Sequence, residues 1–169
     1  MADCIIKAYN GRRAEMFGDK MTPIQRAIFM RSFWLHTEWQ FSKRYEKVSF
    51  SAAIGEGARF KGIQYSHGYR WDDVIIPLDD EAEDRAMAEA KRLDGREYDF
   101  WGLGSFGTKL EIIKPDPEKV WCSETTTMLA VAAKLAFRKT LLDRNLPIEL
   151  SPEQIVLIAQ WHWHGRRSG

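Results

Sequence analysis

Two residues of this 169-residue chain, Cys122 and His36, carry the side chains best suited to nucleophilic catalysis. Cys122 lies in Lys119-Val120-Trp121-Cys122-Ser123-Glu124, where a proline-containing loop gives way to a helical pattern. A thiol at a helix start faces unpaired backbone N–H groups and the positive end of the helix dipole. Both favour the thiolate, which is the nucleophilic form. The same amides, that of Ser123 among them, are candidate donors to an oxyanion formed when a carbonyl is attacked. Local sequence alone points more often to a buried cysteine acting as a small hydrophobe.

His36 falls in the middle of an alternating segment, with Glu38 two residues on and therefore on the same strand face. A base for a thiol needs a rigid mount and an orienting partner, and a strand supplies the first. A satisfied, half-buried histidine fits the same position equally well. His67, between Ser66 and Gly68, reads as an exposed turn residue. His162 and His164 alternate in a Trp-His-Trp-His string and would share one face of an extended segment. With Cys4 they make a weak metal set that lacks zinc-motif spacing, so no metal and no cofactor is expected.

The elements that must position these groups follow from periodicity. Residues 2–9 read as a first strand ended by Asn10-Gly11, and 11–22 as a polar loop. Pro23 can open a short helix through Ile24, Ala27, Ile28 and Met30. From Phe33 to Phe41, Phe33, Leu35, Thr37, Trp39 and Phe41 share one face; Trp34, His36, Glu38 and Gln40 share the other. Residues 47–54 repeat the alternation, and the short charged Ser42–Glu46 suits a hairpin. Residues 58–64 and 73–78 are further strands, with turns at Gly55–Gly57 and Ser66–Gly68.

Thereafter the period changes. Asp79 or Asp80 caps a helix carrying Ala82, Ala86, Ala90 and Leu93, with Gly95 past its end. A glycine-rich loop over 95–118 precedes a helix of about five turns, Cys122 to Leu141. Its expected core stripe is Met128, Val131, Ala132, Leu135 and Ala136. Ser151-Pro152-Glu153-Gln154 combines an N-cap serine, a first-turn proline and a capping-box glutamine, opening a last helix through Ile155 and Ile158. The expected class is α+β, an antiparallel sheet flanked by helices, in a single domain over 1–169.

Composition narrows the function classes. A hydrophobic fraction of 44% and 12% aromatics exclude a disordered chain. The net charge of +1, from 25 basic and 24 acidic residues, supplies no chain-wide footprint for nucleic acid or anionic membrane. Two distant cysteines make no disulfide framework and suit a reducing compartment. No stretch approaches the ~20 apolar residues of a spanning helix, so no stable membrane insertion is expected. Residues 1–13 lack the pattern of a secretory signal, which points to a cytoplasmic or virion-associated location.

Three elements in order carry a family resemblance: His36 on a strand, then Gly95-Arg96-Glu97-Tyr98-Asp99-Phe100, then Trp121-Cys122-Ser123-Glu124 opening a helix. The chain resembles the circularly permuted NlpC-type papain-like hydrolases over about Ser32 to Ala136. Within these it is most similar to the bacterial and phage YiiX-like branch, and more distantly to the lecithin-retinol-acyltransferase-like enzymes. Leu35-His36-Thr37-Glu38, Phe50-Ser51, Gly57–Lys61 and Trp71–Val74 add a phage-like flavour.

The resemblance implies a permuted papain-like fold, a sheet or half-barrel packed on helices with the nucleophile at a helix N-terminus. It makes Cys122 the nucleophile, His36 the base and Tyr98 a residue lining the oxyanion region. The family's third polar residue normally sits on the strand after the histidine strand, where this sequence offers Ser49 and Ser51; Glu38 is the other candidate. The implied reaction is hydrolysis of an amide bond, with a cell-wall peptide as first choice and a lipid acyl or ester group as chemical rival. Trp34, Trp39, Trp101 and Trp121 are candidate cleft walls, although aromatics beside core strands more often pack. A catalytically silent structural or binding protein is the other class left open.

Overall fold

The computed structural model describes residues 2–23, 25–26, 32–62, 68–100, 116, 118–134 and 151–164. Five strands build one sheet: β1 (Ala2–Asn10), β2 (Trp34–Gln40), β3 (Ser49–Ala53), β4 (Gly57–Lys61) and β5 (Trp71–Leu78). Their spatial order is β4-β3-β2-β1-β5, and every neighbouring pair is antiparallel. Among the described residues four helices accompany it: α1 (Gly11–Met16), α2 (Asp80–Leu93), α3 (Cys122–Ala132) and α4 (Pro152–His164). The class is α+β, an antiparallel sheet packed against helices.

Alternation decides which face is which. Cys4, Ile6 and Ala8 of β1 join Trp39, Phe50, Ala52, Val74 and Ile76 in the buried core. Against them lie Ala82, Ala86 and Ala90 of α2, Leu129 and Ala130 of α3, and Ile155, Val156 and Ala159 of α4. The opposite face presents rows set by the register: His36, Tyr9 and Trp71; then Glu38, Lys7 and Asp73; then Gln40, Ile5 and Ile75. Pro77 is accommodated because β5 is an edge strand, where a missing N–H costs no ladder bond.

Several expected elements are found with their devices. Asp79 caps α2 through Ala82 N–H, and Ser151 and Gln154 exchange the two bonds of a capping box at the start of α4. Thr22 and Gln25 do the same around Pro23, while Ile24, Ala27, Ile28 and Met30 lie outside the described residues. Gly55 and Gly57 hold φ of 81° and 69° in the β3–β4 turn.

Other expectations need correction. Residues 11–16 form a short helix instead of a loop, because the Asn10 side chain accepts the Arg13 N–H. Phe33, expected within the alternating segment, precedes β2 and stands 41% exposed, and residue 54, the end of the second alternating segment, follows β3. Helix α3 ends at Ala132, far short of Leu141. Lys134 turns left-handed at φ 55°, and the Arg85 guanidinium of α2 takes the carbonyls of Ala132 and Ala133.

The buried face of α3 is also rotated from the expected stripe. Thr125, Thr126, Leu129 and Ala130 are buried, whereas Met128, Val131 and Ala132 are half-buried. Threonine fits there because Thr125 and Thr126 return their hydroxyls to the Cys122 carbonyl, and Thr127 to that of Ser123. Leu135 and Ala136 lie outside the described residues.

Candidate active site

Sheet and helix meet at a local opening of the ladder. Strands β2 and β3 pair at Trp39↔Phe50 and Gln40↔Ser49 only. Towards the start of β2 they part, and α3 is docked there, with the hydroxyl oxygens of Thr126 and Thr37 3.2 Å apart. The Thr37 backbone, unpaired with β3, helps to lower the Cys122 thiol instead.

The segment leading into α3 is anchored independently. Gly57 lets the chain pass so closely that a Cβ there would sit 2.3 Å from the Arg96 carbonyl oxygen. Ala58 N–H donates to that oxygen, and Gly95 N–H to the Ala58 carbonyl. Val120 N–H then donates to Glu97 and Asp99 N–H to Val120, so that Tyr98 and Val120 form a parallel bridge. Cys122 therefore leaves a braced strand-like strut.

Trp121 occupies the N-cap of α3 and has no side-chain oxygen to offer the first turn. The Glu124 carboxylate accepts the Trp121 N–H, and the Ser123 N–H is left for the sulfur. Burial on its own would raise the Cys122 thiol. The His36 charge and hydrogen bond, with the Thr37 and Ser123 amides, outweigh it and hold the thiol below its ordinary value.

His36 responds in the opposite sense. Burial would lower it, but the Cys122 sulfur first and Glu38 second push it up to about 9. Its Nε2 lies 3.1 Å from Glu38 Oε1 and 3.3 Å from Ser51 Oγ. Ser51 commits its single proton to the Thr37 carbonyl at 2.7 Å, so towards His36 it accepts. Nε2 accordingly carries a proton, and Nδ1 is the nitrogen left for the sulfur. The arrangement is that of a thiolate–imidazolium pair.

Glu38 is buried to 2% of its side-chain surface, in ion pairs with His36 and with Lys61 of β4. Burial would raise its carboxyl, yet those two cations hold it at about 2. Tyr98, half-buried, is pushed up by burial and then by the neighbouring Cys122 charge, so it remains a neutral phenol. The Trp71 ring stands edge-on to His36, with centroids 6.2 Å apart.

The sequence candidates Cys122, His36, Glu38, Ser51 and Ser123 thus converge, with Tyr98 within electrostatic reach of the sulfur. Ser49 lies one pleat along β3, opposite Gln40. The side chain of His36 keeps 24% of its surface open, while Cys122 keeps 4%. A cleft of about 550 Å³ lies elsewhere, between Gln40, Lys43, Lys47 and Ile75, and does not include the pair.

Sequence reasoning missed Lys61, the Thr37 amide and Trp71. The first two depend on strand register, which alternation does not encode. Cys4 is no ligand: its thiol donates to buried Glu83 at 3.3 Å, and burial followed by that carboxylate pushes it far up. His162 and His164 fall in helix α4 rather than in an extended segment. His67 and Trp101 lie outside the described residues. Among the described residues no group of three or more His, Cys, Asp or Glu could hold a metal ion, and no helix is long and apolar enough to cross a membrane.

Compared with protein-family models, with curated proteins and with solved structures, the chain matches none.

Proposed function

We propose that the chain is a cysteine-nucleophile hydrolase of the circularly permuted papain-like type, acting on an amide bond, with a cell-wall peptide as its substrate class. The observation that carries this reading is the Cys122 thiol at a helix start, held below its ordinary value by a histidine that a carboxylate holds from behind. The order of elements, histidine strand before cysteine helix, agrees with the permuted arrangement.

The chemistry follows from the charges. The Cys122 thiolate attacks the carbonyl carbon, and the carbonyl π pair moves to oxygen, where first-turn amides stabilise it. As the tetrahedral centre collapses, the C–N bond breaks and the His36 imidazolium gives its proton to the leaving amine. Water then attacks the thioester while neutral His36 takes its proton. The carboxylic acid leaves and the thiolate–imidazolium pair is restored. Glu38 keeps the ring oriented and stabilises its charged form throughout.

The test is incubation with peptidoglycan-derived muropeptides and, separately, with short-chain thioesters, using Cys122→Ala as control. Cleavage of a peptide bond that is lost in Cys122→Ala supports the proposal. Turnover of thioesters alone transfers it to acyl substrates, and turnover of neither, with intact thiolate chemistry absent as well, sinks it.

A further inference from the structure

Lys61 belongs to β4, two strands away from β2, a separation of roughly 10 Å. It nevertheless reaches Glu38, because the intervening residue on β3, facing both Gln40 and Lys61 in the ladder, is Ser49. A small side chain there lets the lysine cross above its neighbour. The ammonium meets the very oxygen that His36 uses: Glu38 Oε1 accepts from both His36 Nε2 and Lys61 Nζ. The lysine also stands 5.8 Å from the centroid of Trp71, the ring that flanks His36.

We propose that Lys61 is a positioning residue for the Cys122–His36 pair, sharing Glu38 Oε1 with the imidazole so that the carboxylate is fixed in place while its pull on the ring is moderated. The inference rests on the reading of Cys122 and His36 as a working pair. Two cations on one oxygen divide its charge, so the ring gains orientation without becoming too basic to release its proton. That balance matters for a histidine that must act first as acid and then, in neutral form, as base.

Other titratable and charged groups surround the ring. On β1, Tyr9 faces His36, its phenol pushed up to about 12 by burial and its bond to Asp19, and Asp19 is itself paired with Arg70. Lys7, opposite Glu38, is ion-paired with Asp73 of β5 at 2.6 Å. Asp72 of β5 is bound by Trp34, Asn10 and Arg13. On β3 stands Ser51, from α3 comes Cys122, and Tyr98 precedes it as a neutral phenol.

The test is a titration of the His36 ring by proton NMR in the full chain, its resonance assigned by loss in His36→Asn. In Lys61→Met the midpoint should rise by roughly one pH unit, a tenfold gain in proton affinity. Lys61→Gln, which keeps a hydrogen-bonding amide without charge, should move it likewise, and Lys61→Arg should leave it near the wild-type position. In a Glu38→Gln background, Lys61→Met should add no further shift. A midpoint that stays or falls in both neutral variants, or that rises equally in Lys61→Arg, overturns the proposal.

The two readings separate cleanly. Peptide turnover without the midpoint shift removes Lys61 from its role and leaves the hydrolase standing. A shift in a protein whose Cys122 titrates as an ordinary thiol preserves charge sharing and removes the hydrolase.

Discussion

Ser51 Oγ and His36 Nε2 meet 3.3 Å apart at the place where β2 and β3 part, and the serine proton is already held by the Thr37 carbonyl. One hydroxyl therefore closes a gap in the sheet and assigns the tautomer of the candidate base. Ser51→Ala leaves a buried carbonyl without its donor, so stability should fall by about 1–2 kcal/mol. Glu38 still holds the ring, and alkylation of Cys122 should persist. Urea unfolding with parallel alkylation kinetics checks both; unchanged stability would contradict the assigned geometry.

Cys122 is held below its ordinary 9 while His36 is raised to about 9. The thiolate–imidazolium state therefore occupies the interval between the two, and its macroscopic limits belong to the pair. Hydrolysis should trace a bell whose alkaline limb falls near pH 9 as the imidazolium is lost. Alkylation needs the thiolate alone and should stay fast above that limb. In His36→Ala the acid limb of alkylation should move upward; an unmoved limb would dissolve the pair.

Glu38 is depressed from 4.5 to about 2. Its contribution to stability is present above pH 4.5 and is lost as pH falls towards 2. The full difference is on the order of 3 kcal/mol. His36, raised from 6.5 to about 9, contributes below pH 6.5, and that contribution is lost as pH rises through 9. Glu38→Gln should flatten the acid side of the stability profile. Denaturant midpoints measured between pH 2 and 6 decide it, and an equally steep profile in the variant would exclude this origin.

Gly57 and Gly55 lie in one turn but should respond differently to alanine. At Gly57, φ is 69° and the new Cβ would press on the Arg96 oxygen at 2.3 Å. At Gly55, φ is 81° with open space around it. Left-handed strain alone accounts for about 1 kcal/mol in Gly55→Ala. Gly57→Ala should lose more, and it should also slow Cys122 alkylation, because the Arg96–Val120 strut carries the start of α3. Similar stability losses in the two variants would show that the close approach does not matter.

Much of the scaffold was legible from residue patterns. The period of two from Phe33 to Phe41 identified β2 and placed His36 beside Glu38. A cap at Asp79 or Asp80 with alanines at 82, 86 and 90 identified α2, and the Ser151–Gln154 box identified α4. Each is a local signal, written within a few residues of the element it governs. The stop of α3 was not legible, because Arg85 caps it from another helix, and neither Lys134 nor Ala133 is a usual terminating residue. Nor was Lys61, since its reach depends on which residue of β3 lies between it and Glu38.

By itself the sequence determined which groups were chemically able to act: a thiol at a helix start, an imidazole on a strand, a carboxylate on the same face. These are properties of side-chain type and short-range periodicity. Only the tertiary structure decided that the thiol and the imidazole come within electrostatic reach, that Nε2 faces the carboxylate and that a lysine shares it. Those facts depend on strand register and on the opening between β2 and β3, where the Thr37 backbone, unpaired with β3, helps to lower the thiol. The physical reason is range: propensity and pattern act over a few residues, whereas an ion pair across a sheet is set by how distant segments pack.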